Sequence, residues 1–251
     1  GGVYGASGYG RFLGVNTIKE GARRFALGYW KSRGADTASQ LMIVLGTSNS
    51  RLNNSTDQFA YNHGAAWLQL AKDATVAIQP YASQVSVRAG ADFEPSFSYQ
   101  RRAIYWVEGY RSGFTSPYYW YFFGSADGCP TSGVTSTPAT CSNGWTQNDL
   151  DYLSTGAYSY GVPQIYSTAG GNAKQWQQIV LYSYLKWNRD TFMLGVLTQQ
   201  GACIQNQGTL YACTPGTDNT PDQAWNQLWT ELNNDSRTAQ DLWRSTDIKW
   251  R

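Results

Sequence analysis

The sequence predicts an α/β protein, a TIM-like (β/α) barrel of about seven strands with room for irregular closure. Short runs rich in β-formers alternate with longer segments of helical period along nearly the whole chain, the pattern of parallel strands joined by crossover helices. The clearest run, LMIVLGTS at 41–48, is apolar as a strand covered on both faces should be. A doubly wound open sheet has the same alternation, but GYGRFLG lacks the GxGxxG spacing that would open a dinucleotide-binding helix. At 251 residues one core suffices, and no internal repeat or low-complexity linker interrupts it, so 1–251 is expected to be a single barrel domain.

Taken in order, VYGASG (3–8) reads as a weak first strand and 16–34 as a helix, with Asn16 or Thr17 to cap it and Gly34 to stop it. The 41–48 strand is followed by a helix from about Thr56 to Ala74. VSVRAGADFEP (85–95) is the third strand, and the helix YQRRAIYWVEGYRSG comes after it. The aromatic run YYWYFFGSADG (118–128) is the fourth strand, and TQNDLDYLSTGA reads as a helix capped by Thr146. VPQIYST (162–168) is a strand, and the long helix after it sets Trp176, Ile179, Val180 and Tyr184 on one side. TFMLGVLTQQ (191–200) is the sixth strand. Thr220 as cap with Pro221 at the first helical position starts the last helix, and STDIKW (245–250) closes the chain as a strand.

Composition narrows the partners. Charged residues make up only 14% with a net charge of +2 and no Lys/Arg block, so binding to nucleic acid has little electrostatic support. No apolar stretch is long enough for a membrane span. In place of charge stand 11 Trp, 18 Tyr and many Ser, Thr, Asn and Gln, flat amphipathic rings with uncharged hydrogen-bonding groups that suit neutral polar ligands such as sugars. The expected partner is a polysaccharide or cell-wall glycan.

The four cysteines fall into local couples, Cys129 with Cys141 and Cys203 with Cys213. Neither has the close spacing of a zinc or redox site, and the chain's only histidine, His63, lies far from both. They are expected to be loop-stapling disulfides in an oxidising, extracellular compartment. The opening GGVYGASGYG fits a chain whose leader has been removed.

In an α/β architecture of either kind, ligands meet the carboxyl ends of the strands. Thr47, Ser48 and Asn49 stand there after the second strand, and Asp92 and Glu94 at the third. Ser125 and Asp127 follow the fourth, Gln164 and Tyr166 come from the fifth, Thr198, Gln199 and Gln200 from the sixth, and Asp247 from the last. Glu20, Glu108, Asp149, Asp151 and Glu231 lie in helical patterns, where a solvated face accounts for them. Two carboxylates flanking a glycosidic bond serve as acid and as base or nucleophile. On one strand Asp92 and Glu94 point to the same face, so Glu94 is assigned as proton donor and Asp92 as the neighbour that orients it and raises its pKa. Asp127 or Asp247 would complete the set. Asn49, Gln164, Tyr166, Gln199 and Trp120 are the expected substrate contacts. No cofactor or metal is expected, since zinc lacks ligands and the P-loop pattern is absent; calcium stays open as an alternative at SADG or TPGTDNTPD, neither of which matches the EF-hand pattern. A Ser-His-Asp triad would have to use His63, which reads mid-helix as a partly buried structural residue, and GxSxG is absent.

ADFEP together with YFFGSADGC, CSNGWTQNDLDY, PQIY, KQWQQ and STDIKW resembles secreted bacterial proteins with a glycoside-hydrolase-like TIM barrel, from about residue 40 to the end. More remotely, Asp92-x-Glu94 is similar to the acid motif of family-25 type muramidases and family-18 type chitinases. In the latter the Glu is the acid and the Asp two before it assists. Gly90 and Val87 stand where further chitinase aspartates would be expected. The resemblance implies hydrolysis of glycosidic bonds; the alternative is a non-catalytic extracellular surface or assembly protein on the same barrel.

Overall fold

The computed structural model of the protein describes residues 4–8, 11–49, 52–156, 158–209 and 213–248. It is a mixed α/β fold whose strands form sheets in the orders β1-β2, β3-β4-β5-β6 and β7-β8. The strands are β1 (Gly5–Gly8), β2 (Arg11–Gly14), β3 (Leu41–Ser48), β4 (Val85–Asp92), β5 (Trp120–Phe122), β6 (Ser159–Gly161), β7 (Gly195–Thr198) and β8 (Arg244–Asp247). The helices are α1 (Val15–Ser32), α2 (Asp57–Ala77), α3 (Gln100–Ser112), α4 (Gln147–Asp151), α5 (Gly171–Trp187), α6 (Gln200–Gln205) and α7 (Pro221–Asn233). They belong to two compact units, Gly1–Asp92 with Arg101–Tyr121 and Phe93–Gln100 with Phe122–Arg251.

In the first unit β3 and β4 pair in parallel from Leu41 opposite Val85 to Ser48 opposite Asp92. The 41–48 strand forms as expected, while β4 ends at Asp92 because Pro95 opens a 3-10 turn, Pro95–Phe97. The amino-terminal run departs from expectation: β1 is half of an antiparallel hairpin with β2, not a strand of a parallel array. Gly14, without a side-chain cap, precedes α1, so neither Asn16 nor Thr17 caps it.

An aromatic cluster fills this unit. His63, wholly buried on α2, stacks on Trp67 at 5.0 Å, and Trp67 donates from its indole to the Leu45 carbonyl at 2.8 Å. The Trp106 indole N–H donates to His63 Nδ1 at 2.9 Å, so the imidazole proton sits on Nε2 and reaches the Gly5 carbonyl at 2.9 Å. His63 is therefore a hydrogen-bonded core residue. α2 and α3 touch backbone to backbone at paired glycines: a Cβ on Gly64 would overlap the Trp106 carbonyl, and one on Gly109 the Tyr61 carbonyl.

In the second unit the Val162 and Gln164 N–H groups donate to the Phe122 and Gly124 carbonyls at 2.8 and 3.1 Å, the evenly stepped pattern of a parallel pair. Parallel bridges join Gly161 to Met193 and Gln164 to Leu197, and β7 pairs in parallel with β8. The segments thus follow one another in chain order. The fourth and fifth strands are much shorter than expected, and regular pairing of β6 ends at Gly161, just where the expected strand began. α5 is buried on nearly every side, with Trp176, Gln177, Gln178, Ile179 and Val180 all inside. Thr220 and Gln223 form a capping box with Pro221 in the first turn of α7, as expected. The closing strand ends at Asp247, and residues 249–250 of its expected span lie outside the described residues. Among the described residues no helix is long and apolar enough to cross a membrane.

Candidate functional site

Glu94 follows β4 with its backbone extended, at φ −120° and ψ 125°. Its Oε1 accepts from Gln164 Nε2 at 3.0 Å, and the same amide donates to the Phe123 carbonyl at 3.2 Å. Gln164 is 5% exposed and fixed by its backbone to Gly124 on one side and Leu197 on the other. Gly124 has to be glycine, because a Cβ there would overlap the Phe93 carbonyl. That absence of a side chain lets the Phe93–Glu94 segment lie directly against the chain leaving β5.

The first disulfide loop holds the chain beyond Glu94. Cys129 and Cys141 are bonded, and the Ser142 N–H donates to the Asp127 carbonyl at 3.0 Å. From the same corner Asn143 Nδ2 donates to the Pro95 carbonyl at 2.7 Å, and the Trp145 indole to the Ser98 carbonyl at 2.6 Å. Asp127 Oδ2 receives the Ser96 N–H at 3.4 Å. Ser125, between these groups in sequence, is 4% exposed, and its Oγ has no hydrogen-bond partner among the described residues. Such a hydroxyl costs about 1–3 kcal/mol unless a water or a ligand meets it.

Glu94, Gln164 and Asp127 are thus tied to one neighbourhood of the second unit. Other expected site residues are placed differently. Asp247 accepts from the Thr198 hydroxyl at 2.8 Å through Oδ1 and from the Gly201 N–H at 2.7 Å through Oδ2, so one oxygen holds the end of β7 and the other the first turn of α6. Gln199 spends its amide on the Thr217 carbonyl at 2.8 Å. Half-buried Tyr166 is held by its backbone, donating to Asn172 Oδ1 at 3.1 Å and accepting from the Asn219 N–H at 3.1 Å. In the first unit Asp92 ends β4 opposite Ser48, and buried Asn49 turns the chain by accepting from the Leu52 and Asn53 N–H groups. Trp120 is wholly buried with its ring centroid 5.3 Å from that of Trp106, so it offers no face to a ligand.

Asp151 is a correction. Its helical setting suggested a solvated residue, yet it is 3% exposed, with Arg189 Nη2 2.7 Å from each carboxylate oxygen and the Thr155 hydroxyl at 3.2 Å. Burial raises its pKa above the ordinary 3.8, with the Arg189 charge and the hydrogen bonds pulling the other way. A π-helical turn, Tyr152–Gly156, follows at once. The only sequence signal is local: Asp151 sits in the arc between Leu150 and Leu153, both wholly buried. Arg189 is too distant in sequence to have suggested the pair. Asp149, by contrast, completes the capping box with Thr146.

The second cysteine couple, Cys203 and Cys213, is also bonded, so both expected disulfides are present. Among the described residues no group of three or more His, Cys, Asp or Glu side chains is placed to share a metal ion. Comparison of the chain with protein-family models, with curated proteins and with solved structures found no match in any of the three.

Proposed function

We propose that the protein is a secreted carbohydrate-active enzyme that hydrolyses glycosidic bonds in a polysaccharide or peptidoglycan, with Glu94 as the proton donor. The observation that carries this reading is the Glu94–Gln164 hydrogen bond, set beside the Asp127 segment and the unpartnered Ser125 hydroxyl. Gln164 donates to Oε1 and so orients the carboxyl that would carry the transferable proton. Glu94 passes it to the glycosidic oxygen as the bond to the anomeric carbon breaks, and a second carboxylate either attacks that carbon or activates water. Asp127 suits the second role better than Asp247, whose two oxygens are engaged by Thr198 of β7 and Gly201 of α6. Asp92 enters through the Asp-x-Glu resemblance alone.

The TIM-like barrel and the likeness to secreted glycoside-hydrolase-like proteins belong to the same proposal. The barrel draws on the parallel, chain-order succession of segments in the second unit, and the likeness rests on the sequence motifs alone. An extracellular setting is consistent with the two disulfides. The test is release of reducing ends from neutral oligosaccharides and muropeptides. Glu94→Gln keeps shape and hydrogen bonding but has no proton to give, so the rate should fall about 10²–10⁴-fold with the fold intact. Asp127→Asn should also slow the reaction. An active wild type with a fully active Glu94→Gln variant removes Glu94 from the chemistry, and a wild type inert on the whole panel favours the non-catalytic surface protein.

A further inference from the structure

We infer that the second unit carries a separate glycan-binding platform built on Trp243 and Trp229. Trp243, 71% exposed, and Phe192, 37% exposed, meet edge to face with centroids 5.7 Å apart. On α7, Trp225 and Trp229 lie nearly parallel, 9° apart in plane and 5.9 Å between centroids, and Trp229 is 39% exposed. The Trp225 indole donates to the Leu242 carbonyl at 3.1 Å, which ties the helix pair to the residue next to Trp243. Each of the two exposed indoles is therefore held against a second aromatic ring, Trp243 against Phe192 and Trp229 against Trp225. The strand-entry loops beneath them are fastened by Gln240, which accepts from the Met193 N–H at 2.7 Å and donates to the Thr191 carbonyl at 3.0 Å.

Exposed indoles held in fixed orientations invite a ligand with flat apolar faces and polar edges. A pyranose is such a ligand: its C–H face stacks on a ring while its hydroxyls stay in water. Charge argues for a neutral chain, since Asp241 and Arg244 flank Trp243 with opposite signs and the nearby Asp235 is paired with Arg237 at 2.6 Å. An anionic membrane surface would call for a basic excess. Area argues against a second copy: four partly exposed rings offer at most a few hundred Å² by roughly 150–250 Å² per fully buried ring, below the roughly 800 Å² per partner of a stable interface. Phe192 and Trp243 precede β7 and β8, whereas Gln164, the partner of Glu94, bridges to Leu197 near the opposite end of β7. The platform is thus distinct from the candidate acid, and it stands without that reading.

The test is affinity electrophoresis in gels containing glycol chitin, hydroxyethylcellulose or laminarin. The wild type should be retarded in at least one of them, and Trp229→Ala/Trp243→Ala should bind about tenfold more weakly or worse. Near-ultraviolet circular dichroism checks the fold, and the single Trp243→Ala variant, at the more exposed position, replaces the double one if folding is disturbed. Glu94→Gln should be retarded like the wild type, which separates this platform from the catalytic proposal. The inference is overturned if the wild type moves freely in all three gels or if the tryptophan variants are retarded as strongly as the wild type. It is also overturned if sedimentation shows a dimer that Trp243→Ala dissociates, or if the same residues drive binding to phosphatidylglycerol vesicles.

Discussion

Replacing Arg189 by Met tests whether the carboxylate at the end of α4 is a burdened charge held in check. Asp151 is almost wholly buried, and Arg189, with 39% of its side chain exposed, contributes one nitrogen 2.7 Å from both carboxylate oxygens. Breaking a buried pair by removing one partner costs about 3–5 kcal/mol, because the remaining charge is stranded. Water reaches part of the guanidinium and screens it, so we expect about 2–3 kcal/mol at neutral pH. For a chain of this length that is a fall in Tm of roughly 4–12 °C.

The pH dependence supplies the sharper test. Burial raises the folded-state pKa of Asp151 above 3.8, so between the unfolded and folded values the native state binds more protons. The carboxyl's contribution to stability is then greatest below the unfolded value and declines as pH rises through the folded one. Met at 189 removes the opposing cation, raises the folded value further and extends the window upward. In urea unfolding, Arg189→Met should therefore lose far more stability near pH 7.5 than near pH 4, and adding Asp151→Asn should restore much of the loss. An equal loss at both pH values, or no recovery in the double variant, would refute the account.

Gly64→Ala or Gly109→Ala should lower the urea midpoint by the equivalent of about 1–3 kcal/mol or more, since either Cβ meets a carbonyl of the facing helix and the backbones have to part; an unchanged midpoint would deny the close crossing. His63→Phe should cost about 1–3 kcal/mol for each buried group it strands, the Trp106 indole N–H and the Gly5 carbonyl, and His63→Phe/Trp106→Phe should recover part of it. A non-reduced digest should show the Cys129–Cys141 and Cys203–Cys213 links. Converting either couple to Ser should cost about 3 kcal/mol by loop entropy, for closed loops of this length, and free thiols in the native protein would contradict both pairings.

Elements whose signals are local were legible in the sequence. β3 needs only an uninterrupted apolar run, and α7 only its Thr220–Pro221 start with Gln223 three residues on. The cysteine couples were legible for the same reason, their partners lying 12 and 10 residues apart. Where two distant segments decide the outcome, the reading failed. The run at 3–8 has β character, but only its hairpin partner β2 shows that it does not join a parallel array. The aromatic run at 118–128 promised a long strand, whereas ladder pairing lasts three residues before the chain turns toward the Cys129–Cys141 loop. Trp120 could not be told from an exposed platform because burial depends on Trp106 arriving from α3. Asp151 looked solvated because Arg189 is 38 residues away.

The same division runs through the candidate site. That Glu94 stands at a strand end was readable, because Pro95 cannot continue the ladder. What holds the position in place was not, because it depends on segments brought from elsewhere: Gln164 from beyond β6, and Asn143 and Trp145 from the far side of a disulfide. Around the glutamate, the neutral side chains of Gln164, Asn143 and Trp145 act as donors beside a disulfide-stapled loop. The Cys129–Cys141 bond therefore has a second consequence beside loop entropy. It fixes the corner from which Asn143 and Trp145 grip the chain just after Glu94, so an oxidising environment favours the ordered site as well as the ordered loop.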